Sequence, residues 1–75
     1  MAFKIGDLVY LLPADKQPNT DSSYHKLLSV GPRFKVIAID GSFIDLISLS
    51  NPSIDLDGYY PSRFRLAPKH IYQRH

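Results

Sequence analysis

The sequence has no cysteine, no tryptophan and no glutamate among its 75 residues. Without cysteine, disulfides and thiolate metal sites are excluded. Secreted domains of this size usually depend on disulfides, so we expect an intracellular, cytoplasmic protein. No apolar run approaches the roughly 20 residues of a membrane span, and the N-terminus lacks the apolar core of a signal peptide. We therefore expect no membrane partner.

The absence of glutamate leaves aspartate as the acidic residue type of this chain, and aspartate favours turns and loops over helices. Six prolines and four glycines add to that preference, so the composition argues against a helical protein. A chain of this length holds at most one domain, with a thin core. We expect a complete small protein with a single domain over residues 1–68 and a flexible basic tail over residues 69–75.

Hydrophobic patterning predicts five short strands. They cover residues 3–12, 33–39, 42–49, 58–60 and 65–67. Asp40-Gly41 predicts a type I′ hairpin between the second and third strands, because glycine accepts positive φ. The polar segment 13–32 predicts a long loop, with a short helical turn or strand at residues 24–28. The expected fold class is all-β, a small five-stranded, partly open barrel with a long first loop and a short 3-10 turn before the last strand. The expected core residues are Val9, Leu11, Phe34, Val36, Ile44, Leu46, Phe64 and Leu66.

Sequence patterns for catalysis and metal binding are missing. His25 has no histidine at metal-ligand spacing, and His70 and His75 fall in the expected tail. The serines lack a G-x-S-x-G context, and the isolated glycines do not form a phosphate-binding loop. Asp55 and Asp57 are interpreted as part of a polar loop rather than as cation ligands. We expect no enzyme, no metal site and no small-molecule cofactor.

Basic residues are concentrated at the C-terminus. Residues 1–60 hold five lysines or arginines against seven aspartates, whereas residues 61–75 hold four basic residues and no acid. Arg63, Arg65 and Lys69 stand among aromatic residues, a combination typical of phosphate binding with base stacking. The alternative is a solvated segment that aids solubility.

Two further features indicate binding. A loop of roughly 20 residues is unusual in a small domain and is more often functional than accidental. Tyr59 and Tyr60 are adjacent on a strand, so one of the two rings must be exposed, and exposed tyrosines are frequent contact residues. Arg33 and Lys35, on the outward face of their strand, extend the basic edge. The candidate partner-binding residues are Lys16, Tyr24, His25, Lys26, Tyr59, Arg63, Arg65 and Lys69.

Several segments of the sequence resemble parts of known families. Residues 58–68, Gly-Tyr-Tyr-Pro-Ser-Arg-Phe-Arg-Leu-Ala-Pro, resemble the closing segment of eukaryotic SH3 domains. Residues 3–11 resemble the start of SH3-like and KOW-type barrels. Residues 6–11, with Lys26-Leu27 and residues 31–37, resemble the C-terminal SH3-like domain of retroelement integrases. These resemblances imply an SH3-like barrel. They do not imply recognition of proline-rich peptides, because the signature tryptophan of that groove is missing and Phe64 stands where tyrosine is usual.

The chain as a whole resembles small stand-alone SH3-like proteins of bacteriophages. Some phage proteins of this size bind host RNA polymerase and redirect transcription. The resemblance therefore implies a non-catalytic phage protein that acts in the host cytoplasm by binding the host transcription machinery. Two alternatives stay open, because a fold does not determine a function. One is direct, weak binding of DNA or RNA by the basic C-terminal edge, and the other is a structural subunit of a virion or larger complex.

Overall fold

Five antiparallel strands form one open sheet in the order β4-β3-β2-β1-β5. The structure is a computed structural model that describes residues 3–67. Its elements are β1 (Leu8–Leu11), a 3-10 turn (Ala14–Lys16), α1 (Ser22–Val30), β2 (Arg33–Asp40), β3 (Phe43–Ser48), β4 (Asp55–Tyr59), a second 3-10 turn (Pro61–Arg63) and β5 (Phe64–Leu66). The expected five strands and the 3-10 turn before the last strand are confirmed. The expected tail over residues 69–75 lies outside the described residues.

A nine-residue helix, α1, occupies much of the segment that was predicted to be a loop. Asp21 caps its N-terminus, where the carboxylate accepts a 3.2 Å hydrogen bond from the backbone N–H of Tyr24. Aspartate is a strong N-cap because it satisfies a helix N–H that has no partner within the helix. Tyr24 and Leu27, one turn apart, are both buried. The all-β expectation is therefore wrong for this segment, and the fold is mostly β with one helix.

Gly31 ends the helix and lets it lie against β2. A Cβ built at Gly31 would lie 2.8 Å from the carbonyl oxygen of Leu27 and 2.8 Å from the ring of Phe34. Real Cβ atoms do not approach other atoms so closely, so only glycine fits between the last helical turn and the core without a shift of its neighbours. The requirement is one of space, because the backbone at Gly31 is extended, with φ −94° and ψ −153°.

The first strand is shorter than predicted and the fourth is longer. A turn at Gly6, with φ 97°, precedes β1, so pairing starts at Leu8. β4 begins at Asp55, inside the segment that was predicted to be a loop. On β3, Leu46 pairs with Leu56 of β4, and Ile44 pairs with Tyr59. Two residues along β3 thus correspond to three along β4, so β4 contains an extra residue there. This bulge interrupts the alternation of apolar and polar residues and hides the strand from pattern analysis.

The hairpin between β2 and β3 turns one residue later than predicted. Asp40 pairs with Phe43, so the two loop residues are Gly41 and Ser42 rather than Asp40 and Gly41. Gly41 has φ 61° and occupies the first central position, where both hairpin turn types require positive φ. A second bulge, at Ile37, lies between Val36 and Ala38 of β2.

The core lies between α1 and one face of the sheet. Every predicted core residue is buried except Leu66, which is 41% exposed. Tyr24, Leu27, Leu56 and Ala67 are also buried and were not predicted. The side chain of Ser48 is fully buried, and its hydroxyl donates to the carbonyl of Val30 and accepts from the backbone N–H of Ser50 and of Asn51. Ser48 thereby joins the end of α1 to the end of β3.

Candidate functional site

A tyrosine between two arginines occupies the outward face of β2, β1 and β5, away from the core. Tyr10 on β1 pairs directly with Arg33 on β2 and with Arg65 on β5. Directly paired residues of an antiparallel sheet point to the same face, so the three side chains form one row. Lys35, two residues along β2, lies on the same face. We call these four residues, Tyr10, Arg33, Lys35 and Arg65, the basic face.

The side chains of the basic face are accessible and partly ordered by contact with one another. Arg33, Lys35 and Arg65 are exposed, whereas Tyr10 is half-buried. The guanidinium carbon of Arg65 lies 5.1 Å from the centroid of the Tyr10 ring. An arginine at this distance over an aromatic face is attracted by the negative potential of the ring. Tyr10 therefore restricts where the Arg65 guanidinium can lie and keeps it at the surface.

The positive charge of the basic face is not neutralised by neighbouring carboxylates. Within residues 3–67 the one ion pair joins Arg63 to Asp21, at 3.0 Å. The acidic side chains of the sheet lie on its other half, on β3, β4 and the end of β2. They are Asp40, Asp45, Asp55 and Asp57. The outward face is therefore divided into a basic half over β5, β1 and the start of β2 and an acidic half over β3, β4 and the end of β2.

Arg63, a predicted partner-binding residue, is buried inside the fold. It is 4% exposed, and its guanidinium donates hydrogen bonds to the segment that precedes α1. The acceptors are the carbonyl and side-chain oxygens of Asn19 at 3.2 Å, the side-chain oxygen of Gln17 at 3.3 Å and the carboxylate of Asp21 at 3.0 Å. These bonds account for the burial of a charged group, which would otherwise be costly. The structure thus gives Arg63 a role in holding the fold together.

The predicted residues of the long loop are separated by the helix. Tyr24 is 6% exposed and belongs to the core, because it lies on the face of α1 that packs against the sheet. His25 and Lys26 follow it on α1 and are exposed, and Lys16 is exposed at the end of the first 3-10 turn. Of the eight candidate partner-binding residues, Arg65 lies on the basic face, together with Arg33 and Lys35, which were predicted to extend the basic edge. Lys69 lies outside the described residues.

One of the two adjacent tyrosines is exposed, as predicted, and it is Tyr60. Tyr60 is 53% exposed, whereas Tyr59, the candidate partner-binding residue, is half-buried. Burial raises the pKa of the Tyr59 phenol above its usual value, a rise that nearby Arg63 opposes and Asp57 reinforces. The Tyr60 ring packs on Phe43, with ring centroids 4.9 Å apart. We call Phe43 and Tyr60 the aromatic pair.

Sequence reasoning did not assign Tyr10 and Phe43 to a binding surface. Tyr10 alternates with buried Val9 and Leu11, and that alternation is the signal that places its ring on the outward face. Its two arginine neighbours follow from strand order and register, which link positions 23 and 55 residues away along the chain. Such pairing is not encoded in local sequence, so the row of three side chains could not be found before the fold was known.

Searches against protein-family models, curated proteins and solved structures returned no match to this chain. In the described part of the chain, no three histidine, aspartate or glutamate side chains are grouped closely enough to hold a metal ion. No helix between residues 3 and 67 has the length and apolar character needed to cross a bilayer.

Proposed function

We propose that this protein is a non-catalytic binding module that holds the phosphate backbone of a nucleic acid on its basic face. The observation that carries the proposal is the row formed by Arg33, Tyr10 and Arg65 on three adjacent strands. Arginine forms charge-assisted hydrogen bonds to phosphate, and an aromatic ring beside it offers a surface for a base. Within residues 3–67 no ion pair involves Arg33, Lys35 or Arg65, and the aspartates of the strands lie on the other half of the sheet, so the charge of this row is available to phosphates.

The expected affinity is low and depends on salt. Three cations, Arg33, Lys35 and Arg65, are available for phosphate contacts. Counterion release then gives a slope of log affinity against log salt of about −2 for a single strand. Binding that lacks sequence specificity typically has a Kd of about 10⁻⁴ to 10⁻⁶ M at physiological salt. We expect the Kd of the basic face to lie in that range.

Fluorescence anisotropy with a labelled strand of about 12 nucleotides tests the proposal, in a series from about 50 to 200 mM salt. The variant with Arg33, Lys35 and Arg65 all changed to glutamine should lose binding. The matched control changes Lys4, Lys16 and Lys26 to glutamine, which removes the same charge from exposed positions elsewhere. The control should keep a measurable salt slope. Equal losses in the two triple variants, or no binding by the unaltered protein, would contradict the proposal.

The fold is proposed to be an SH3-like barrel. Two features support this: the strand order β4-β3-β2-β1-β5, and the 3-10 turn at Pro61–Arg63 directly before β5. The bulge at Ile37 bends the long strand β2, as closure of a sheet into a barrel requires. An experimental structure tests the proposal. A sheet that stays flat through β2, with no curling toward closure, would contradict it.

A protein partner is the second candidate function, and the aromatic pair favours it. Exposed aromatic rings are enriched in protein interfaces, and Phe43 is 38% exposed beside the more exposed Tyr60. The resemblance to phage proteins suggests the host RNA polymerase as that partner. A pull-down with purified polymerase at micromolar protein tests this, with Phe43→Ser as the variant expected to lose binding. Retention by Phe43→Ser would exclude the aromatic pair as the contact. Co-purification with particle proteins would instead support a virion subunit.

A further inference from the structure

We propose that Tyr10 and Arg65 form a stacking platform for one unpaired base, so that the ligand of the basic face is single-stranded. This inference rests on the proposed function and makes it more specific. It assigns different tasks to the two arginines beside Tyr10. Arg65 offers a flat surface to a base, whereas Arg33 and Lys35 contact phosphates.

The position of Arg65 supports the stacking role. Its guanidinium carbon lies over the Tyr10 ring, 5.1 Å from the centroid, and the side chain is exposed. A guanidinium group is planar and stacks on aromatic rings, and bases stack on arginine planes as they do on rings. The guanidinium lies beside the Tyr10 ring and the side chain is exposed, so a base can approach the group from the solvent side. The contact with Tyr10 favours this position of the guanidinium, which lowers the side-chain entropy that Arg65 loses on binding.

The dimensions of the basic face favour a single strand over a duplex. Arg33 and Arg65 lie on strands that flank β1, so their backbones are roughly 10 Å apart. A duplex presents its base edges inside a major groove about 12 Å wide, which admits a helix or a two-stranded ribbon. The basic face lies on a broader sheet, which cannot enter such a groove. An unpaired strand can instead lie on the sheet and turn a base toward it.

The acidic half of the sheet limits the length of the bound segment. Lys35 on β2 pairs with Ile47 on β3, and Ile47 pairs with Asp55 on β4, so the three side chains form one row across the sheet. A phosphate backbone that continued toward β4 would meet Asp55 and Asp57, and like charges repel. The bound segment is therefore a few nucleotides long and lies over β5, β1 and β2. Stacking does not depend on base identity, so we expect little sequence preference.

The test compares three labelled probes at the same low salt: a single strand, an abasic strand of equal length and a duplex. Stacking contributes about 1–3 kcal/mol per base, so the unaltered protein should bind the base-containing strand at least about fivefold tighter than the abasic one. Arg65→Lys keeps the charge and removes the plane, so this variant should lose most of the difference between the two strands. Arg33→Lys is the matched control, because it keeps the charge on the other side of Tyr10, and it should retain the difference.

Each outcome has a defined meaning once circular dichroism shows that both variants are folded. Loss of the base-dependent difference in Arg65→Lys alone supports the platform. Equal binding of abasic and base-containing strands by the unaltered protein overturns the platform but leaves the proposed function intact. Tighter binding of the duplex, or equal effects of the two lysine variants, also overturns it. If no probe binds, the proposed function fails together with the inference.

Discussion

Arg63 and Arg65 are separated by one residue and have opposite surroundings. The second 3-10 turn ends at Arg63, and β5 begins at Phe64. This change of backbone conformation turns Arg63 inward, toward Gln17, Asn19 and Asp21, and leaves Arg65 on the outward face beside Tyr10. The first side chain holds the segment before α1 against the sheet, and the second remains available to a ligand.

Replacement of Arg63 should destabilise the fold strongly. Arg63→Ala removes one hydrogen-bond donor from each of the side-chain oxygens of Gln17, Asn19 and Asp21 and opens space where a buried side chain was, so we expect a loss of about 3 kcal/mol. Arg65→Ala, the matched control, removes an exposed arginine and should cost less than about 1 kcal/mol. Urea unfolding measures both. Equal midpoints for the two variants would show that the buried hydrogen bonds contribute little to stability.

Tyr59 should give the protein a sensitivity to alkaline pH. Burial raises the pKa of its phenol in the folded state, whereas the unfolded phenol ionises near pH 10. The folded state therefore keeps a proton that the unfolded state releases. The stabilisation is fully present below about pH 10 and is lost as the pH rises through the folded pKa.

Thermal unfolding between about pH 9 and 11 checks this expectation. Tyr59→Phe has no phenol to ionise, so its melting temperature should fall less over that range than that of the unaltered protein. Tyr60→Phe makes the same change at an exposed ring and should follow the unaltered protein. If the melting temperature of Tyr59→Phe fell over this pH range as far as that of the unaltered protein, another group would be responsible for the effect.

Helix α1 depends on close contact at both of its ends. At the N-terminus the carboxylate of Asp21 accepts two hydrogen bonds, one from the backbone N–H of Tyr24 and one from the guanidinium of Arg63. At the C-terminus Gly31 leaves no room for a side chain between Leu27 and Phe34. The helix has only nine residues and would be marginal on its own. These end contacts and the burial of its apolar face therefore stabilise it.

Gly31→Ala should destabilise the protein by about 1–3 kcal/mol, because the added methyl group forces the last helical turn away from the Phe34 ring. Ser29→Ala introduces the same side chain at an exposed helical position two residues earlier and should change stability by no more than about 0.5 kcal/mol. Chemical denaturation compares the two variants. A Gly31→Ala variant as stable as Ser29→Ala would mean that the helix end moves at little cost.

Elements with a regular local sequence pattern could be predicted from the sequence, and elements without one could not. The alternating part of β2 and the proline-led turn before β5 were identified, because their signals are local. Helix α1 was hidden by its polar first turn and by an N-cap whose second partner, Arg63, lies 42 residues away. β4 was hidden by the bulge at Gly58, whose backbone N–H bonds to the carboxylate of Asp45 over 2.8 Å. On the basic face, the arginines were visible in the sequence, but their meeting at Tyr10 depends on strand order.

The whole molecule shares one core. The buried cluster takes side chains from α1 and from every strand, including Leu27 on the helix, Leu56 on β4 and Phe64 on β5. Elements that share a small core lose their support together, so unfolding should be cooperative. We expect far-UV circular dichroism and the near-UV signal of the tyrosines, among them Tyr24 on α1, to give one unfolding midpoint in urea. An earlier transition in the tyrosine signal would indicate that the helix separates first.

The order of the strands also affects the tendency of the protein to aggregate. The two outermost strands of the described sheet are β4 and β5. β4 carries Asp55 and Asp57 and is distorted at Gly58, and β5 is three residues long. Charge, distortion and shortness each make an outer strand a poor template for a strand of another molecule. The aspartates of β4 thus also oppose edge-to-edge growth of this sheet into aggregates.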